Sequence, residues 1–255
     1  MKYKKIVVKV GSSTIVHKNG APNLRAMDHL ARVISEIVHT GTQVLLVSSG
    51  AIAAGVGALR LPGKPADIPS KQAAAAVGQC RLMDLYEKFF TEYGLPVGQI
   101  LLTRGVLDRP EGLAHVKNTV AKLLDFGVVP IVNENDTVAV DEIKIGDNDT
   151  LSAIVALIAE ADLLVLLSDI DGLYDHDPHK GDATLIPTVK GVTAAIRAGA
   201  SGSASAQGTG GMTTKLDAAE MVNRAGIPMV LASGEDADIL YRIVQGEAVG
   251  TKFEV

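Results

Sequence analysis

Short apolar runs alternate along this chain with longer stretches in which apolar positions recur every three or four residues. Ile6-Val7-Val8 is the first run, closed by Gly11, and its brevity and β-branched content suit a buried strand. After Asn23, a natural helix cap, Leu24, Met27, Leu30, Ala31, Ile34, Ile37 and Val38 fall at helical spacing, and Gly41 stands where a helix should stop. Residues 44–47 read as a second strand, 70–93 as a long helix ended by Gly94, and 97–103 as a strand. Residues 113–126 then predict a helix and 128–132 a strand. Farther on, helices are expected at 151–159, 213–225 and 236–244, with strands at 163–167 and 227–231. This order of strands and helices indicates an α/β fold with a largely parallel central sheet. Two segments break the pattern. Over 137–145, Val138, Val140, Ile143 and Ile145 are spread among polar residues, which predicts a projecting hairpin. Residues 199–211 are nearly all Gly, Ser, Ala, Thr or Gln, the composition of a mobile loop. No internal repeat or linker is visible. The chain reads as one domain over 1–255, with an N-terminal lobe to about residue 160 and a C-terminal lobe over about 161–255.

Composition sharpens this picture. With 255 residues the chain can bury a sizeable core, but aromatics are only 4% and Trp is absent. Val, Ile, Leu and Ala must therefore build that core, as in parallel sheets covered by helices. The formal net charge is −5 and no run of Lys or Arg stands out, which argues against nucleic acid as a partner. Cys80 is the only cysteine, so no internal disulfide can form and a reducing compartment is expected. The basic start Met1-Lys2-Tyr3-Lys4-Lys5 precedes an apolar stretch that stops at Lys9, too short for a signal peptide or a membrane span. A cytoplasmic protein with no membrane association is the expectation.

Five polar constellations carry candidate chemistry. Lys9-Val10-Gly11-Ser12-Ser13 puts a lysine at the end of a strand, where ligands bind in open α/β sheets. The bland alternative is a lysine reaching out to solvent. Ser48-Ser49-Gly50-Ala51 follows the second strand, either as a helix start offering N–H groups to an anion or as an ordinary Ser cap. Asn133-Glu134-Asn135-Asp136 and the segment Lys144-Ile145-Gly146-Asp147-Asn148-Asp149 flank the expected hairpin. Asp147 and Asp149 could merely complement a helix dipole, but so many Asn, Asp and Glu exceed what capping needs, which favours a substrate site. The spacing is not that of an EF-hand. Ser168-Asp169 ends the most apolar strand. Gly208-Thr209-Gly210-Gly211-Met212-Thr213-Thr214-Lys215 opens a helix; it is not a Walker A loop, yet a glycine loop with a lysine can hold phosphates.

Together these segments resemble the amino-acid kinase superfamily over residues 5–253, and most closely its branch that phosphorylates the side-chain carboxylate of free glutamate at the start of proline synthesis. The resemblance implies an open, mainly parallel, eight-stranded sheet sandwiched between helices. It implies the amino acid over the N-terminal lobe and ATP over the C-terminal lobe. Carried onto this chain, it makes Lys9 and Lys215 the catalytic lysines with Asp149 holding them. Ser49, Asp136 and Asn148 would contact L-glutamate, with Gly50, Asn133 and Lys144 nearby. Lys9, Ser168, Asp169 and the run Thr209, Gly210, Gly211, Met212, Thr213, Thr214 and Lys215 would bind ATP. Mg2+ would arrive with ATP rather than in a protein metal site. Proline as a feedback inhibitor and a homo-oligomer are further implications. Two departures stand out: Ser168 replaces the usual Thr, and the chain ends at Val255 without the C-terminal RNA-binding-like PUA domain that many relatives carry.

The chemistry suits these residue types. A glutamate side chain, with a reference pKa of about 4.3, is already an anion and needs no general base. What it needs is cations to let it approach a polyphosphate. Rival readings are a kinase for N-acetylglutamate or aspartate, a silent nucleotide or amino-acid sensor, and a metal-dependent hydrolase. A sensor should have lost a lysine or the organising aspartate, and a hydrolase leaves the lysines and glycine loop without a role.

Overall fold

The computed structural model describes residues 2–139, 147–178, 181–200 and 211–255. Its strands are β1 (Lys5–Val10), β2 (Gln43–Ser48), β3 (Val97–Leu102), β4 (Val129–Glu134), β5 (Leu163–Ser168), β6 (Leu173–Tyr174), β7 (Leu185–Ile186), β8 (Thr188–Lys190), β9 (Met229–Ser233) and β10 (Thr251–Glu254). Its helices are α1 (Ser12–Ile15), α2 (Leu24–His39), α3 (Ala51–Ala58), α4 (Ile68–Glu92), α5 (Arg104–Leu107), α6 (Pro110–Asp125), α7 (Asn148–Ala159), α8 (Ala194–Ala200), α9 (Met212–Asn223) and α10 (Ile239–Gln245).

Eight strands form one sheet in the order β3-β4-β2-β1-β5-β9-β10-β8, with β6 and β7 as a separate hairpin. Every neighbouring pair in the large sheet is parallel except β9 and β10. The central strands are buried on both faces, so they read as unbroken apolar runs. Alternation along each strand then sorts side chains between two helical layers. Ile6, Val8 and Val10 of β1 pack with Met27, Ile34, Leu82 and Phe90 of α2 and α4. Val7 packs in the opposite layer with Leu151 of α7 and Leu216 of α9. This parity fixes where the polar residues at the strand ends can point.

Capping explains several helix starts. The Asn23 side chain accepts a hydrogen bond from the Ala26 amide, Asp67 from Ser70 and Asp147 from Thr150. The Asp67 cap, followed by Pro69, starts α4 at Ile68, two residues ahead of the sequence-predicted boundary. Similarly α6 begins at Pro110 rather than 113. The helix expected from 236 begins at Ile239, because Asp236 instead accepts the Asp238 amide in a turn. Strands β6, β7, β8 and β10 were not foreseen; they are two to four residues long, with too few positions for a period to show. Part of the expected loop at 199–211 is helical, since α8 runs on through Ala200, and Gly211 precedes α9; residues 201–210 lie outside the described residues. So do residues 140–146, and with them most of the expected hairpin. Among the described residues, no helix is long and apolar enough to cross a membrane.

Candidate active site

Strands β1, β2, β4 and β5 run parallel, and their C-terminal ends open onto one cleft of about 360 Å3. Lys9 shares its strand face with Val7, and so points toward the layer of α7 and α9. There it meets Asp149, in the first turn of α7. Lys9 Nζ lies 2.7 Å from Asp149 Oδ1, and Lys215 Nζ donates to Oδ2 at 3.1 Å from the first turn of α9. All three are buried, with 8%, 1% and 6% exposure for Lys9, Asp149 and Lys215. Thr214 Oγ lies within hydrogen-bonding distance of the same Oδ2, at 3.0 Å. Burial by itself would push the Asp149 carboxyl up. The charges of Lys9 and Lys215 and their hydrogen bonds overcome it and hold the group below its ordinary value. The snorkelling alternative for Lys9 is thereby excluded: its ammonium is turned inward onto a carboxylate.

The second constellation is built from amides and hydroxyls. Asn133 shares the β4 face of Val129 and Ile131, toward α4. Its Nδ2 donates to Gln79 Oε1 at 2.9 Å, and its Oδ1 accepts from the Glu134 amide at 2.9 Å. Asn148, at the start of α7, donates from Nδ2 to both Asn133 Oδ1 at 3.0 Å and Ser49 Oγ at 2.7 Å. The cap of α3 is Gly50, with φ 101° and no side-chain capping bond. Neither serine is the cap: Ser48 shares a buried hydrogen bond with the Tyr86 hydroxyl at 2.8 Å, and Ser49 faces the cleft. The α3 N-terminus thus has no side-chain cap among the described residues, and its Gly50, Ala51 and Ile52 form part of the cleft wall, where N–H groups of a helix start are oriented toward a ligand. Asp136, in the turn after β4, also lines the cleft.

The third part is Ser168-Asp169 at the end of β5, where Ser168 Oγ donates to Asp169 Oδ1 at 3.0 Å. Both line the cleft beside Lys215. Gly211, Met212, Thr213 and Thr214 form the start of α9, which has no side-chain cap. Of the residues singled out in the sequence, the cleft gathers Lys9, Ser49, Gly50, Asn133, Asp136, Asn148, Asp149, Ser168, Asp169 and Lys215. Lys144, Thr209 and Gly210 lie outside the described residues.

Sequence reasoning missed the contribution of α4. Gln72 donates to the Ala139 carbonyl at 3.2 Å, Gln79 accepts from Asn133, and Tyr86 bonds Ser48. These three stand seven residues apart, two helical turns each, so they share one face. A polar residue recurring with that period beside Ala75 and Leu82, on the helix's buried side, was the signal available. Among the cleft's other walls are His17, Lys18, Lys64 and Glu134.

The model of the amino acid kinase family matches residues 4–233. A glutamate 5-kinase of Clostridium acetobutylicum is 53% identical over 250 residues, covering 98% of this chain and 94% of the relative. One from Listeria monocytogenes is 50% identical over 255 residues, covering 98% of this chain and 92% of the relative. The glutamate 5-kinase of Carboxydothermus hydrogenoformans is longer: the match, 53% identical over 252 residues, covers 98% of this chain but 68% of that protein. Among solved structures, a UMP kinase from Bacillus anthracis superposes with a TM-score of 0.69 at 16% identity, covering 100% of this chain and 97% of the other. An isopentenyl phosphate kinase of T. acidophilum gives 0.68 at 19% identity, covering 98% of this chain and 100% of the other. At such identities the two structures establish the eight-stranded fold and nothing finer.

Proposed function

The chain belongs to the amino acid kinase family, and on that premise we propose that it phosphorylates the side-chain carboxylate of L-glutamate with ATP, giving L-glutamyl 5-phosphate, the opening step of proline synthesis. The observation that carries the reading is the Lys9–Asp149–Lys215 triad, set between the amide cluster of β4 and α7 and the Ser168-Asp169 end of β5. The two sides correspond to an acceptor site in the N-terminal lobe, to about residue 160, and a nucleotide site in the C-terminal lobe.

In the reaction a glutamate carboxylate oxygen attacks the γ-phosphorus, and the bond from that phosphorus to the β,γ-bridging oxygen breaks. ADP leaves with the bond's electron pair, and no proton has to move. The barrier is electrostatic, because an anion approaches a polyanion. Lys9 and Lys215 place two ammonium groups where charge spreads over the transferring oxygens. Asp149 fixes both, pairing with Lys9 through Oδ1 and accepting from Lys215 at Oδ2, so their positions are set before substrate arrives. The uncapped α3 N-terminus suits an anionic carboxylate group, and the uncapped α9 N-terminus suits phosphate. Asp136 suits the α-ammonium group. Thr209 and Gly210 are assigned to the nucleotide and Lys144 to the acceptor by family resemblance alone. Mg2+ is a hard cation that takes oxygen ligands and enters with ATP; it would neutralise phosphate charge. Asp169 and Asp147 are the carboxylates that would face it; the Oδ2 of Asp147 is buried with no hydrogen-bond partner among the described residues. A cytoplasmic location, feedback by proline and self-association belong to the same reading.

The test is trapping of the acyl phosphate with hydroxylamine, alongside ADP release, using glutamate, aspartate and N-acetylglutamate in turn. N-acetylglutamate lacks the positive charge that Asp136 would pair with and carries an acetyl group in its place, so glutamate should be preferred by more than about 10²-fold. Equal reaction of N-acetylglutamate would overturn the acceptor assignment. Absence of hydroxamate with every acid would overturn the reading as a carboxylate kinase.

A further inference from the structure

We propose that Gln79, on α4, is a positioning residue that holds the hydrogen-bond polarity of the acceptor site through Asn133 and Asn148; the proposal rests on the glutamate reading above. The Glu134 backbone N–H can only donate, and it donates to Asn133 Oδ1 at 2.9 Å. The Asn133 carboxamide is thereby oriented, and its Nδ2 must face the other way, onto Gln79 Oε1 at 2.9 Å. Asn133 Oδ1 accepts a second bond, from Asn148 Nδ2 at 3.0 Å, so Asn148 is oriented in turn. The remaining Nδ2 hydrogen of Asn148 goes to Ser49 Oγ at 2.7 Å.

Both amide hydrogens of Asn148 are then committed, and it can offer a ligand only its carbonyl oxygen. Ser49, already accepting, keeps its hydroxyl hydrogen to donate. The pair thus presents one acceptor and one donor, the complement of an amino acid's ammonium and carboxylate groups. Reversing Asn148 would point an NH2 at the ammonium.

Gln79 is the acceptor at the buried end of this chain. It is a polar residue on the apolar face of α4, only 9% exposed, between Ala75 and Leu82. Its depth is set by its neighbour Gly78, where a Cβ would overlap the Ala51 carbonyl oxygen of α3. Without an acceptor at position 79, the Asn133 Nδ2 loses its bond in a buried setting, and the amide is held only at its Oδ1 end, by the Glu134 amide and Asn148, so that its rotation is no longer locked. Asn148 would then lose its fixed orientation.

The test compares the wild type with Gln79→Met, which keeps the volume but has no comparable acceptor, and Gln79→Glu, which restores an oxygen facing Asn133. Gln79→Met should raise KM for glutamate about tenfold while KM for ATP stays within about twofold. Gln79→Glu should return KM for glutamate to within about threefold of wild type. An unchanged KM for glutamate in Gln79→Met, or a joint rise of both KM values that Gln79→Glu does not rescue, would overturn the proposal. A second readout needs no substrate. In the 15N-labelled free protein, the side-chain amide signals of Asn133 and Asn148, assigned by their loss in Asn133→Asp and Asn148→Asp, should shift and exchange faster with water in Gln79→Met. Unmoved signals would also overturn it. A wild type inert toward glutamate whose amide signals still respond would refute the glutamate reading and leave the Gln79 relationship standing.

Discussion

Gly55 of α3 and Ala74 of α4 touch backbone to backbone: a Cβ built on Gly55 would overlap the Ala74 carbonyl oxygen. Gly78 meets the Ala51 carbonyl in the same way, so two glycines, one on each helix, allow the crossing. The crossing matters because α3 carries the uncapped N-terminus at the cleft and α4 carries Gln79. Gly55→Ala should therefore cost about 1–3 kcal/mol by overpacking, or more if the helices cannot separate. For a chain of this size the melting temperature should fall by roughly 2–4 °C per kcal/mol. KM for glutamate should rise with it as α3 shifts. Calorimetry and steady-state kinetics on the purified variant check both; an unchanged melting temperature would contradict the close approach.

Lys9 and Lys215 converge on Asp149 from β1 and α9. Replacing either with Ala removes one preorganised cation from the transition state and should lower kcat by roughly 10²–10³-fold. The variants should remain folded, as judged by circular dichroism. A loss of tenfold or less would mean that the lysine does not contact the transferring group.

Asp149→Asn leaves two buried ammonium groups facing each other without their anion. The expected cost is about 3–5 kcal/mol of stability at neutral pH, with near-complete loss of turnover. The sign of the pH dependence follows from the lowered Asp149 pKa. The unfolded chain binds this proton more readily than the folded one. The stabilisation by the carboxylate is therefore fully present above the unfolded aspartate value, and is lost as pH falls through the lower folded value. Denaturant titrations of wild type and Asp149→Asn should accordingly converge as pH is taken down below about 3.9. A gap that stays constant with pH would show that the carboxylate charge is not what stabilises the wild type.

Asp136 lines the cleft beyond the amide cluster. Asp136→Ala should raise KM for glutamate far more than KM for ATP, by about 10²-fold if it pairs with the substrate ammonium. A parallel rise in both constants would assign Asp136 to the fold of the turn after β4 instead.

The pattern of the chain determined a good deal by itself. Buried strands in a parallel sheet need continuous apolar runs, and amphipathic helices need a 3.6-residue period, so β1, β2, β5, α2 and α7 could be read directly. The polar clusters at strand ends were legible for the same reason, since Lys9, Asn133 and Ser168 interrupt or terminate apolar runs. Their partners were not legible. Asp149 lies 140 positions from Lys9 and 66 from Lys215 along the chain, and only the parallel pairing of β1 with β5, with α7 and α9 packed on one face, brings them within 3.1 Å. Strand parity, which a sequence leaves ambiguous until one face is known, sent Lys9 toward α7 and Asn133 toward α4. Gln79 shows the limit most plainly. On its own helix it is one member of a polar row with Gln72 and Tyr86, and it gains a role only because glycine-to-backbone packing sets α4 deep enough for its oxygen to reach Asn133.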